Sequence, residues 1–259
     1  AMIDPTPVGS IGNSESAAPA AQTPPMSVVD ETAMIATLAA QGDAVAQYEL
    51  GQRYLDARGV ARDPKTASQW LEKAAEQGIA PAQYRLGALY EKGVGVDRDL
   101  PRARKNYLAA AMSGNARAMH NLAVMLAEGG DDRPDYGAAS VWFRKAAEYG
   151  VRDSQFNLAI LYARGLGVSR DLTQAYLWFS AAAAQGDVDS VKKRDEVSAR
   201  LDSKELAAAK ALVENFHAKQ PPAAANDAPA PKGGWQAVKT PATPDAKQEL
   251  KPLAKPKAS

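Results

Sequence analysis

The chain has no cysteine and only two histidines, His120 and His217. Without cysteine there is no disulfide framework and no thiol chemistry. A charge of one dominant sign is also missing. Lys and Arg number 31 and Asp and Glu 30, a formal net charge of +1. A nucleic-acid or anionic-lipid binder usually carries a clear basic excess, so the balance argues against both. No stretch approaches the roughly 20 apolar residues that a membrane helix needs. Also missing are HExxH, a Cys/His cluster, the GxSxG elbow and the GxxxxGK[ST] phosphate loop. Asp131 and Asp132 are adjacent acids, but neither has a partner at ligand spacing, and they read as a solvated loop. Composition thus supplies no catalytic residues, no metal ligands and no cofactor site.

What the chain does have is a 36-residue period repeated four times in unbroken register, starting at Ala46, Ala82, Ala118 and Ser154. Self-similarity at this length means stacked supersecondary units. Each period reads as two helices. In the first, Leu50, Leu86, Leu122 and Leu158 share a column. A small residue follows each of them (Gly51, Gly87, Ala123, Ala159), and three positions further on stand Tyr54, Tyr90, Leu126 and Tyr162. This spacing puts the apolar groups on one helix face, while the small residue admits a neighbouring helix.

Glycine-bearing turns follow, Gly93-Val94-Gly95-Val96 and Gly165-Leu166-Gly167-Val168, with Gly129–Pro134 as the irregular one. The second helix opens at an Asp column, Asp63, Asp99, Asp135 and Asp171, whose carboxylates suit the N-cap position. It continues through the Trp70/Asn106/Trp142/Trp178 and Leu71/Tyr107/Phe143/Phe179 columns and stops at Gly78, Gly114, Gly150 and Gly186.

The expected organisation is a solenoid over residues 30–217. It comprises a starting cap helix at 30–42, repeats at 46–81, 82–117, 118–153 and 154–189, and a more charged closing cap at 190–217. In that cap Leu201, Leu206, Leu212, Val213 and Phe216 are expected to face inward. Residues 1–29 are rich in Ala and Pro, and residues 218–259 in Pro, Ala and Lys. Neither holds enough apolar bulk to offset ordering entropy, so both read as disordered linkers. Trp235, the lone aromatic of the tail, is either a short docking motif or a linker residue without a role. No secretory signal stands at the start, and the opening Ala1-Met2-Ile3 fits an excised fragment.

The columns Ala-Gln-Tyr-x-Leu-Gly-x-x-Tyr, Gly-x-Gly-Val-x-x-Asp and Ala-x-x-Trp-x-x-Lys-Ala-Ala-x-x-Gly resemble the Sel1-like repeat family, relatives of tetratricopeptide repeats. The resemblance implies an all-α fold, an α/α right-handed superhelical solenoid of Sel1-like repeats with helical caps. It implies an adaptor rather than an enzyme. The segments Ala118–Val124 and Asp153–Gly165 are further similar to the periplasmic region of the PodJ family of alphaproteobacterial polar localisation factors. That resemblance implies a periplasmic scaffold at the cell pole, held to the inner membrane by a span absent from this chain. Its partner would be a protein or peptidoglycan, with no nucleic acid and no small-molecule cofactor. Two alternatives are a soluble periplasmic regulator that binds a sensor kinase and, more remotely, a peptidoglycan-acting enzyme.

By analogy with other stacked helical pairs, the first helices should line a groove. The column pointing into it runs Gln52, Ala88, Val124, Ile160, from polar to apolar. Helices Ala118–Glu128 and Ser154–Arg164 are apolar nearly all round, so they are either buried or expose an apolar strip to a partner. The rim would carry Asp56, Glu91, Lys92, Glu128 and Arg164, a mixed-charge set suited to a peptide or protein. His120 replaces an aromatic in the Tyr48/Tyr84/Phe156 column and is expected in or beside the groove.

Overall fold

The computed structural model describes residues 27–129 and 133–238. Most of the expected N-terminal linker, the part of the tail beyond Val238, and Asp131 and Asp132 therefore lie outside the described residues. Within them the chain is helical and without strands. Helix α1 (Val28–Ala40) is followed by four hairpins: α2 (Ala44–Asp56) with α3 (Pro64–Glu76), α4 (Ala80–Lys92) with α5 (Leu100–Met112), α6 (Ala116–Glu128) with α7 (Tyr136–Glu148), and α8 (Arg152–Arg164) with α9 (Leu172–Ala184). Then come α10 (Val188–Ser198), α11 (Ser203–Asn215) and a single turn, α12 (Ala223–Asn226). The most extensive contacts join helices adjacent in the chain, the signature of a one-dimensional stack.

Local chemistry sets each boundary. Asp63, Asp99, Asp135 and Asp171 each accept a bond from a backbone N–H in the first turn of α3, α5, α7 and α9. Their own amides close the turn by donating to the carbonyls of Tyr54, Tyr90, Leu126 and Tyr162, at 2.8–3.0 Å. The irregular third turn thus ends on the same backbone bond as the others.

The leucine column is fully internal, with Leu50, Leu86, Leu122 and Leu158 at 0–3% exposure. Burying each such side chain is worth about 1.5–3 kcal/mol. The small column works as expected. A Cβ on Gly51 would stand 2.8 Å from Leu71 Cγ, and one on Gly87 would stand 2.8 Å from the Tyr107 ring. Tyr107 cannot easily retreat, because its hydroxyl donates to Glu91 at 2.6 Å and accepts from Asn121 Nδ2 at 3.0 Å.

Both ends are sealed by specific devices. At the start, Arg53 on α2 is buried, yet it bonds Glu49 at 2.9 Å, the Thr32 hydroxyl at 2.6 Å and Glu31, which ties α1 down. At the far end Phe216 stands edge-on to Trp178 with ring centroids 5.1 Å apart. In the closing cap Leu201, Leu206, Val213 and Phe216 are half-buried. Leu212 departs from the inward-facing expectation: it is 37% exposed, and the buried position on α11 is Ala209. The cap helix begins at Val28 rather than residue 30, because Ser27 accepts from the Asp30 amide as its N-cap.

The largest departure from the sequence reading lies beyond α11. Residues 218–238, expected as linker, run back along the stack toward α1. The Lys219 amide donates to the Glu148 carbonyl at 2.8 Å, and its ammonium reaches the Glu148 carboxylate at 2.7 Å. Asn226 bonds the turn before α6, and Trp235 and Val238 pack against the α1 core around Met34 and Ile35. A Pro/Ala-rich segment has little apolar bulk of its own, but it can be ordered by hydrogen bonds to a surface already formed.

Candidate interaction surface

The nine residues expected to form a partner site divide by burial. Asp56, Lys92, Glu128 and Arg164 are exposed and occupy one column at the C-terminal ends of α2, α4, α6 and α8. They form a row of alternating sign, one charge per repeat. Asp56 makes a long 3.8 Å contact with Arg58.

The other five are engaged in packing to different degrees. Glu91 is half-buried and accepts from the Tyr107 hydroxyl. Gln52 is 8% exposed, and its Oε1 is buried without a hydrogen-bond partner. Val124 and Ile160 are half-buried against the core formed by α7, α8 and α9. The apolar residues of α6 and α8 are buried or half-buried, so neither helix is wholly internal. Leu108 and Met112 on α5 and Val141 on α7 are large exposed apolar residues, while none of that kind lies on α6 or α8.

His120 takes over the packing duty of its column. Its ring lies 5.8 Å from Phe143, as Tyr84 lies 6.0 Å from Tyr107 and Phe156 lies 5.7 Å from Phe179. Its Nδ1 is 2.8 Å from the hydroxyl of Ser154, which is fully buried. Burial holds the imidazole pKa below its ordinary value, with Asp153 opposing the shift. Among the described residues no group of three or more His, Cys, Asp or Glu is placed to hold a metal ion. No helix there is long and apolar enough to cross a membrane.

Two features escaped the column reading. A cleft of about 380 Å³ opens between α3, α4 and α5, with Asn106 and Gln83 in its lining. The signal was present, since Asn106 interrupts the tryptophan column. The second feature is a ladder of glutamines. Gln47, Gln83 and Gln155 each donate to the carbonyl of an alanine in the preceding helix, Ala39, Ala75 and Ala147, all at 3.1 Å. Gln77 and Gln185 complete rungs by donating to Gln47 and Gln155 and to the carbonyls of Gly42 and Gly150. Between them the ladder is broken, because Ser113 and Tyr149 stand in the Gln77/Gln185 column and Met119 in the Gln47 column.

The Sel1 repeat model matches residues 44–79, 80–115, 116–150 and 152–187. The chain belongs to the Sel1 repeat family. Its units thus begin with α2 at Ala44, two residues before the column counted from Ala46. Among solved structures the chain is similar to a Sel1 repeat protein from Oxalobacter formigenes. The two are 30% identical, with a TM-score of 0.59 over 69% of this chain and 75% of that one. It is also similar to c5321, a protective antigen of uropathogenic Escherichia coli strains displaying an SLR fold. There the identity is 29% and the TM-score 0.47, over 74% of this chain and 49% of that one. No curated protein matches the chain.

Proposed function

We propose that this Sel1-repeat protein is a non-enzymatic interaction scaffold that binds a protein partner along its first-helix groove. The observation that carries the reading is the exposed row Asp56, Lys92, Glu128, Arg164. Most repeated aromatics, glycines and aspartates are spent on packing, turns and caps, whereas this column differs in every copy and stays in solvent. Alternating charges at a fixed spacing discriminate between partners more than they add raw affinity. We place the scaffold in the periplasm, at the cell pole, on the resemblance to polar localisation factors read from the sequence alone in Ala118–Val124 and Asp153–Gly165. A peptidoglycan partner fits the same setting.

The test is affinity capture from periplasmic extract, with identification of what is retained. Intact protein is compared with a Lys92→Glu/Arg164→Glu double variant. Both positions are exposed, so the fold should hold. A partner retained by the intact protein should be lost or strongly weakened on the variant. Equal retention would sink the groove reading.

A further inference from the structure

The tail is seated where the glutamine ladder is broken. By register Tyr149 stands where a side chain should donate to the Gly114 carbonyl, as Gln185 does to Gly150 and Gln77 to Gly42, but it carries no side-chain carboxamide. Asn226 supplies the missing rung. Its Nδ2 donates to the Gly114 carbonyl at 3.0 Å, and its Oδ1 accepts from the Ala116 amide at 2.8 Å. Asn115 completes the clamp by donating Nδ2 to the Ala225 carbonyl. The equivalent N-caps Asp43 and Asp187 have no such donor. Ala225 is buried, and the Pro222 ring lies over Gly114, 2.9 Å from where a Cβ would stand. The site therefore reads a backbone carbonyl followed by a carboxamide, presented by the single helical turn α12.

The neighbouring rung is broken as well and stays empty. Ser113 is too short to reach Gln83 as Gln77 reaches Gln47, and the Gln83 Oε1 is buried with no hydrogen-bond partner. Gln83 also lines the cleft beside Asn106.

We infer that the Gly114–Ala116 turn is a peptide-recognition site for a small-residue–Asn segment of a partner protein that folds into one helical turn, as residues 223–226 do. The chain's own residues 222–226 fill it as a tethered competitor. The tail of a second copy offers only the same contacts, and it would compete against a tethered tail at an effective concentration on the order of 1 mM. A partner wins by adding contacts. The orphan Gln83 acceptor calls for a second amide donor, an Asn or Gln, on the displacing segment. This deepens the scaffold reading by giving the partner a chemistry, but it uses neither the charged row nor its variants, so either can fail alone.

The probe is a fluorescent peptide, AKQPPAAANDA, copied from residues 218–228. It is titrated by anisotropy against the full chain, the Asn226→Ala chain and the Asn115→Asp/Asn226→Ala chain. Asn115→Asp keeps the cap bond to the Ala118 amide, as Asp43 and Asp187 cap their helices, so α6 should persist. The Asn226→Ala chain should bind the probe at least tenfold more tightly than the full chain, and the double variant should lose that gain. Hydrogen exchange at residues 219–227 should quicken in the Asn226→Ala chain. Unchanged exchange, equal binding by the full chain and the Asn226→Ala chain, or binding that survives Asn115→Asp each overturns the proposal.

Discussion

Replacing Gly95 by alanine should cost far more than replacing Gly93, two residues away, although both have positive φ, +73° and +68°. At Gly93 the added methyl would stand 3.3 Å from Arg98 Cβ, a neighbour that can shift by a few tenths of an ångström. The same column holds Ala57 at φ +57° in the first repeat, so alanine is already tolerated there. The left-handed conformation costs alanine about 1–2 kcal/mol. Part of this is offset by about 0.4–1 kcal/mol of lost freedom in the unfolded chain. A net loss of about 1 kcal/mol remains, or about 2–4 °C in Tm for a domain of this size. At Gly95 the same methyl would run into the Pro64 carbonyl of the preceding repeat and stand 2.8 Å from Lys65 N. That backbone is pinned, because Asp63 accepts from Lys65 N at 3.0 Å and from Thr66 N at 3.1 Å. Overpacking adds about 1–3 kcal/mol. Gly95→Ala should therefore lose about 2–4 kcal/mol. Because the strain falls between repeats, it should also broaden urea unfolding followed by circular dichroism, lowering the m-value. Equal Tm shifts for the two variants would refute the assignment of Gly95 to the inter-repeat contact.

Two further outcomes follow from the buried polar groups. Ser113→Gln should rebuild the empty rung by donating to Gln83 Oε1, raising stability by about 1 kcal/mol. The gain should vanish in a Gln83→Met background when both are measured by thermal unfolding. His120 has a folded pKa below its unfolded value, so its contribution is whole above about pH 6.5 and is lost as pH falls from there through the folded pKa. The urea midpoint should accordingly fall between pH 7.5 and 5.5, and His120→Phe, which restores the column's aromatic, should shrink that fall. An undiminished pH slope in the variant would remove His120 from the account.

The fold was legible because repetition averages out local ambiguity. A single Asp before an apolar run is a weak helix start, but Asp63, Asp99, Asp135 and Asp171 in one register leave no competing reading, and all four cap as expected. The candidate site was less legible. The exposed charged row follows from helix periodicity, and the structure keeps it in solvent. Glu91 was read as a rim charge because its hydroxyl partner, Tyr107, lies on another helix and no local pattern announces the bond. The drift from Gln52 to Ile160 read equally as groove lining or as core, and packing against α7 and α9 put Val124 and Ile160 at the core's edge.

By itself the sequence determined the period, the Asp caps of the second helices and the leucine column of the core, since these rest on contacts within a unit or between identical units. Tertiary structure alone decided the course of residues 218–238. That segment has no periodicity and little apolar area, so it carries no signal of its own. Its order comes from Asn115, Ala116 and Gly114, about 110 residues away in the chain, and from a ladder that lacks one rung where the tail provides it.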